Sequence, residues 1–256
     1  MSSRDVAELM EIRLPAGAAG MEQDQEWCEV GVNGATRRIR FHDYAEIYSV
    51  PGLYERLFCE LLECKSPETV CGLLREELAR AGERPGDLTV LELGAGNGMV
   101  AEELAGCGAD TIVGVDIIEE AAMAAERDRP GVYDDYRVLD FTDIPPPARE
   151  ELEQREFDCL VTVAALGFGD IPPLAFAEAF NLIADDGWVV FNIKESFLSP
   201  DERGGFSRLI NRMLAEDRLE LCAKRRYRHR LAADGEPIDY FALVARKLAA
   251  VPLSWT

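Results

Sequence analysis

The sequence predicts an α/β fold: a doubly wound, mostly parallel seven-stranded sheet with helices on both faces and a C-terminal antiparallel strand pair. Three observations predict it. From residue 87 onward, continuous apolar runs alternate with helical patterns, the mark of parallel strands covered on both faces. The first of these runs enters a glycine-rich turn that opens a helix. The last two strand-like stretches are joined only through Ala232-Ala233-Asp234-Gly235-Glu236-Pro237, and a parallel return needs a longer crossover.

Along the chain, residues 1–26 are rich in Ala, Gly, Glu and Asp with weak periodicity, which predicts a mobile or loosely docked arm. Strand-like runs on either side of Asn33-Gly34 read as a β-hairpin. Residues 42–64 carry Tyr44, Ile47, Tyr48, Leu53, Tyr54, Leu57 and Phe58, spaced for one or two amphipathic helices interrupted near Pro51-Gly52. A helix follows over 66–81, with Ser66 as its N-cap, Pro67 at its first position and Gly82 as its stop. The parallel strands fall at 88–93, 111–115, 136–139, 157–163 and 188–193. Helices are expected at 97–105, 119–127 and from Pro172-Pro173 onward. The antiparallel pair is 219–230 with 238–247.

Composition narrows the class. The 256 residues are 48% apolar, enough for a large core, and 48 acids against 27 Lys and Arg leave a net charge of -21. Such a surface repels phosphate backbones, so the expectation is no nucleic-acid and no membrane partner. No stretch approaches the roughly 20 apolar residues of a membrane-spanning helix, and the first 20 residues lack the pattern of a signal peptide. The seven cysteines are scattered and include no Cys-x-x-Cys, which suggests neither a disulfide framework nor a zinc site. They read as reduced, packed residues of a cytoplasmic protein.

Chemistry concentrates after the first three strands of the parallel set. Glu92-Leu93-Gly94-Ala95-Gly96-Asn97-Gly98 places an acid two residues before a G-x-G-x-G turn. The dinucleotide fingerprint would need glycine where Met99 stands, and an acid at 92 can receive an ammonium group. Asp116 ends the second strand, where a carboxylate can accept both hydroxyls of a ribose. Asp140-Phe141 follows the third, a carboxylate for an exocyclic amine beside a ring that can wall an adenine. Each aspartate alone also suits a turn or a helix cap.

Together these residues resemble the class I S-adenosylmethionine-dependent methyltransferases, over about residues 40–250. The resemblance implies the Rossmann-like methyltransferase fold, S-adenosyl-L-methionine as cofactor and S-adenosyl-L-homocysteine as product. It implies Glu92, Gly94, Ala95 and Gly96 at the methionine end, Asp116 at the ribose, and Ile117, Asp140 and Phe141 about the adenine. It divides the chain into an arm with a hairpin (1–40), a helical lead-in or lid (41–83) and an S-adenosylmethionine-binding domain (84–256). Residues 41–48 are similar to the tyrosine-bearing lead-in helix of small-molecule methyltransferases, so Tyr44 and Tyr48 are expected at the cofactor. They equally suit i, i+4 core packing. Ala164, in the loop after the fourth strand, completes the expected cofactor-binding set, and that loop lacks the Asn/Asp-Pro-Pro-Tyr/Phe run of base-modifying relatives.

Methyl transfer needs a base only if the nucleophile must lose a proton. Of the two histidines, His42 and His229, His42 lies beside the lead-in tyrosines and is the better candidate. No metal is expected. The stretch 218–230 carries a local charge of +5, from six Lys/Arg against one Glu. It suits a strand guarding a sheet edge better than one that steers an acidic substrate. Asn192, Lys194 and Glu195 are candidate substrate contacts at the sheet's ligand edge. The expected function is methyl transfer to oxygen or nitrogen of a small molecule, by a monomer or a homodimer. A protein methyltransferase, a catalytically silent cofactor-binding module and a nicotinamide oxidoreductase are the alternatives.

Overall fold

The computed structural model describes residues 10–32, 34–166, 169–195 and 205–256. A small antiparallel sheet, β1-β2-β3, holds β1 (Glu11–Arg13), β2 (Trp27–Val32) and β3 (Ala35–Arg40). β2 and β3 are the expected hairpin, and Asn33 of its turn lies outside the described residues. The lead-in follows as α1 (Tyr44–Ser49) and a π-helical segment, Glu55–Leu61. Single π-turns often mark functional sites.

The large sheet contains β4 (Thr89–Leu93), β5 (Thr111–Asp116), β6 (Asp135–Val138), β7 (Phe157–Thr162), β8 (Ile183–Lys194), β9 (Leu219–Leu231) and β10 (Pro237–Lys247). Its order is β6-β5-β4-β7-β8-β10-β9, with the first five strands parallel and β10 antiparallel to both neighbours. The expected seven-stranded, doubly wound sheet is therefore present. The helices are α2 (Ser66–Ala81), α3 (Met99–Cys107), α4 (Glu119–Asp128), α5 (Pro146–Glu153), α6 (Pro173–Leu182) and α7 (Gly205–Ala215). The sequence reading had no α5, α7 or β1. Among the described residues, no helix is long and apolar enough to cross a membrane.

Alternation along the strands builds two cores, one per face. Val90, Ile112, Cys159, Val161 and Val190 pack with Val70, Leu74 and Leu78 of α2. Leu91, Val113, Leu160, Val189 and Phe191 pack with Phe176 and Phe180 of α6. A third core joins the small sheet to the lead-in through Cys28, Val30, Ile39, Phe41, Ile47, Leu53 and Leu57.

That third core corrects the expectation of a loose arm. Met10 and Ala18 are buried in it beside Ile47, Leu53 and Leu57 of the lead-in, and β1 pairs with β2. Residues 1–9 lie outside the described residues. Ser66 is also corrected. Lys65 occupies the N-cap position of α2, while the Ser66 hydroxyl is engaged with Tyr227 and His229. Cys222 is exposed rather than packed.

β9 is an edge strand, and its cations are largely neutralised locally. Arg225 pairs with Glu76, Arg226 with Glu195 and Asp239, Arg228 with Glu63, and Arg230 with Glu26. Lys224 lies 3.8 Å from the centre of the Phe241 ring. Unpaired edge amides invite intermolecular pairing, and flanking charge discourages it.

Candidate active site

The C-terminal ends of β4, β5 and β7 open into a cleft of about 940 Å³, counting its mouth. β4 delivers Leu93 and Gly94, β5 delivers Asp116 and Ile117, the β6 exit delivers Asp140 and Phe141, and the loop after β7 delivers Ala164 and Asp170. α1 and the segment after it close the cleft with His42, Tyr44, Tyr48 and Tyr54. A side pocket beside the glycine turn is lined by Tyr48, Glu92, Gly94, Ala95, Gly96 and Ala164, among others.

The glycine turn faces inward. The N–H groups of Gly94 and Ala95 both donate to Val115 O, at 2.8 and 3.0 Å. That of Gly96 donates to Asp116 Oδ2 at 2.9 Å. A pyrophosphate site would leave such amides free for the ligand, so this geometry speaks against a nicotinamide dinucleotide. Asp116 Oδ1 accepts a second amide, Ile118 N–H, at 3.0 Å. Burial pushes the Asp116 carboxyl up, and these backbone donors pull it back down.

Glu92 is almost wholly buried. Its carboxylate accepts from the Tyr133 hydroxyl at 2.9 Å, and that hydroxyl also lies 3.1 Å from Ala95 O. Burial pushes the Glu92 carboxyl up to about 8, with the Tyr133 bond opposing. Tyr133 itself depends on Gly114: a Cβ there would lie 2.7 Å from its ring. Gly114→Ala is therefore expected to destabilise the protein by about 1–3 kcal/mol through overpacking, read as a lower denaturation midpoint in urea. Unchanged stability would show that the ring has room to move.

The aromatic cover is continuous. Tyr44 stacks near Tyr48 with ring centres 6.1 Å apart, Tyr48 on Tyr54 at 5.2 Å, and Tyr54 meets Phe58 at 4.8 Å. The Tyr48 hydroxyl sits so close to Gly96 that a Cβ there would approach it to 2.5 Å. Three bonds tie this cover to the glycine turn and α4. Asn97 donates to Glu55 at 2.6 Å, Arg129 donates to Glu55 at 2.9 Å, and Arg127 donates to Tyr48 O at 3.0 Å.

His42 Nδ1 lies 3.2 Å from Asp170 Oδ2 and 3.3 Å from Oδ1. The tautomer with its proton on Nδ1 donates that proton to the carboxylate. Ala164 is held at φ 58, a strained value for a residue with a Cβ. Its N–H donates to Asn192 Oδ1 at 2.6 Å. Asn192 then donates to Ser66 Oγ and to the Tyr227 hydroxyl. Asn192 is thus a buried support for the loop, which corrects its reading as a substrate contact. Glu195 pairs with Arg226, and neither it nor Lys194 lines the cleft. Asp140 stands exposed at the rim, and its Oδ1 accepts from the Thr142 amide and hydroxyl. Ile117 is 59% exposed there, while Phe141 is buried in the core and borders the cleft.

Asp170, Tyr54 and Tyr133 were not among the expected site residues. Tyr54 had a signal in the helical spacing of the lead-in. Asp170 and Tyr133 had none, because each meets its partner only across the fold.

A family model described as a methyltransferase domain matches residues 67–232. The chain belongs to the class I S-adenosylmethionine-dependent methyltransferases. A curated ubiquinone biosynthesis O-methyltransferase of Thiobacillus denitrificans is 30% identical over 103 residues, spanning 40% of this chain and 43% of that relative. Among solved structures, an S-adenosylmethionine-dependent methyltransferase of Clostridium acetobutylicum is 13% identical with a TM-score of 0.51, covering 77% of this chain and 97% of its own. A candidate RNA methyltransferase of Pyrococcus horikoshii is 17% identical with a TM-score of 0.52, covering 72% and 87%. These two share the fold. S-adenosylmethionine is the methyl donor of this methyltransferase family.

Proposed function

We propose that this methyltransferase transfers the methyl group of S-adenosylmethionine to a small molecule, at oxygen or nitrogen, with His42 as general base. The observation that carries this reading is the His42–Asp170 pair lining the cleft. A placed base serves an acceptor that must lose a proton as it attacks, as a hydroxyl does. The named activity of the curated relative, O-methyl transfer in ubiquinone biosynthesis, agrees in chemistry. The net charge of -21 disfavours a polyanionic acceptor. Seven free cysteines suit a reducing cytoplasm.

The residues present fit the cofactor. Asp116 lies at the cleft with backbone donors from Gly96, Ile117 and Ile118 on its protein side, and a carboxylate's remaining lone-pair capacity can take a ribose hydroxyl. Ile117 and Phe141 offer apolar flanks for an adenine, and Asp140 Oδ2 an acceptor for its amine. Tyr44, Tyr48 and Tyr54 present ring surface to a cationic sulfur. Glu92 receives the ammonium at the methionine end, with Gly94, Ala95, Gly96 and Ala164 supplying close backbone. When bound, the cofactor supplies an electrophilic methyl group on a positively charged sulfur.

The chain's own part is alignment, exclusion of water and custody of one proton. As the acceptor oxygen gained the methyl group, His42 would take its proton, and the bound cofactor would supply the methyl carbon and keep the carbon–sulfur electron pair as a neutral thioether. Asp170 holds the imidazole and stabilises the imidazolium that results. Calorimetry with S-adenosylmethionine and S-adenosylhomocysteine tests the reading, and no binding of either would refute it.

Glu92 makes a separate, pH-dependent prediction. A carboxyl titrating at about 8 when folded and at about 4.3 when unfolded holds a proton that the unfolded chain has lost. Stability therefore falls as pH rises between those two values and levels off above them. Glu92→Gln should remove that slope, raising Tm relative to the unaltered protein more at about pH 8 than at about pH 5. An ammonium beside Glu92 draws the proton off, so cofactor binding near neutral pH should release about one proton. Calorimetry in buffers of different ionisation enthalpy reads that release. If none is seen, the ammonium does not meet Glu92.

A further inference from the structure

Ala164 is a wall common to three hollows. It borders the cleft, the side pocket beside the glycine turn, and a small recess in which Gln23 Nε2 donates to the Tyr240 hydroxyl at 3.0 Å. Its φ of 58 lies in the left-handed region. Glycine enters that region freely, and a residue with a Cβ stays there only when its surroundings hold it.

The hold comes from behind the wall. The Ala164 N–H donates to Asn192 Oδ1 at 2.6 Å. Asn192 is wholly buried in β8. Strand alternation puts it on the face of Val190, which packs against α2. From there its Nδ2 donates to Ser66 Oγ, at the start of α2, at 3.1 Å and to the Tyr227 hydroxyl of β9 at 2.7 Å. Those two hydroxyls lie 2.7 Å apart, and Ser66 Oγ lies 2.6 Å from His229 Nδ1.

The count of hydrogens fixes the direction of this circuit. With Oδ1 accepting from Ala164, both Nδ2 hydrogens go to Ser66 and Tyr227. Tyr227 then donates to Ser66, and Ser66 donates to His229 Nδ1, so each hydroxyl and amide hydrogen finds an acceptor. The reverse order leaves the Tyr227 hydrogen without one inside the circuit. His229 is therefore assigned as the neutral tautomer protonated on Nε2, and burial pushes its pKa well below the ordinary histidine value. Turned over, the Asn192 amide would set N–H against the Ala164 N–H and leave both unpaired. Asn192, Ser66 and Tyr227 do not line the cleft, so whatever the circuit does to a ligand there passes through the loop it holds.

We infer that Asn192 is a positioning residue for the cofactor: backed by Ser66, Tyr227 and His229, it holds Ala164 in its strained turn and so sets the shape of the wall at the methionine end. The inference rests on the placement of Ala164 at that end, proposed above. A loop that served the fold alone could take glycine at 164 with no strain, and strain of this kind collects at ligand sites.

The test is calorimetry on the full chain with two ligands. S-adenosylhomocysteine reaches the methionine end, whereas adenosine keeps only the ribose and adenine contacts. Asn192→Leu, similar in volume without the amide, should weaken S-adenosylhomocysteine about tenfold and adenosine by about twofold or less, as a lost buried hydrogen bond and a relaxed turn imply. Tyr227→Phe, which removes one hydroxyl outside the cleft, should shift the same ligand in the same direction by less. The deciding variant combines Asn192→Leu with Ala164→Gly. Glycine keeps the left-handed turn without help, so the double variant should regain most of the lost S-adenosylhomocysteine affinity. General loosening of the fold would not be rescued by a more flexible residue. If Asn192→Leu fails to fold, Ser66→Ala replaces it in both measurements. Equal loss for both ligands, no loss for either, or no recovery in the double variant would overturn the inference. An unaltered chain that binds neither ligand is a different result, and overturns the methyl-transfer reading and this inference with it.

Discussion

Asp116→Ala is expected to weaken S-adenosylhomocysteine binding by roughly 10²- to 10⁴-fold, from two lost hydrogen bonds to a charged group at about 1.5–3 kcal/mol each. The carboxylate has two tasks on opposite sides. Toward the protein it accepts the amides of Gly96 and Ile118, which pins the glycine turn against the end of β5. Toward the cleft, on the proposed reading, its remaining lone-pair capacity would receive the ribose. Alanine removes both, so part of the loss comes from a turn no longer held. Asp116→Asn separates them: an amide keeps the shape and one acceptor, and should lose less. The hydroxyl contribution is isolated by comparing adenosine with 2′,3′-dideoxyadenosine. Their difference in affinity should vanish in Asp116→Ala. Equal affinity of the variant and the unaltered protein for S-adenosylhomocysteine would disprove the ribose assignment.

His42→Ala should act on the other axis. Loss of a positioned base is worth typically 10²- to 10⁴-fold, so kcat should fall by about that factor while S-adenosylhomocysteine affinity is nearly preserved. The rate is measured on whichever acceptor in a panel of phenols, amines and carboxylic acids the unaltered chain methylates. Added imidazole should restore part of the lost rate, an effect that a merely structural histidine would not show. Asp170→Asn should lower kcat in the same direction by less, since the amide still fills the space but stabilises the imidazolium poorly. A His42→Ala variant that turns over at the unaltered rate would leave alignment alone as the source of catalysis.

The two variants fall on parts of the chain that differ in how readily they can be read. Asp116 is a local feature: an acid at the end of an apolar strand, a fixed distance from a glycine turn. The strand pattern supplies its position and the turn supplies its neighbour. His42 was legible as a candidate because it lies beside Tyr44 and Tyr48. Its partner Asp170 was not, since 128 residues separate them. Gln23 and Tyr240, 217 residues apart, carry no local sign of association. Glu92 was legible as an acid two residues before the glycine turn. The depth of its burial and its bond to Tyr133 were not, because both depend on Gly114 leaving room for a ring.

By itself the sequence determined the doubly wound sheet, the antiparallel closing pair, the glycine turn with its flanking acids and the aromatic lead-in. Each is encoded within about one element's length, by the two-residue period of strands, the 3.6-residue period of helices and the torsional freedom of glycine. Only the tertiary structure decided that residues 10–26 pack against the lead-in, that the β9 cations are largely neutralised, and that Gln23, His42, Asp170 and Tyr240 share one recess. The reason is physical. Apolar periodicity states which face of an element must be covered. It does not state which other element covers it, and the pairs His42–Asp170 and Gln23–Tyr240 are such long-range contacts.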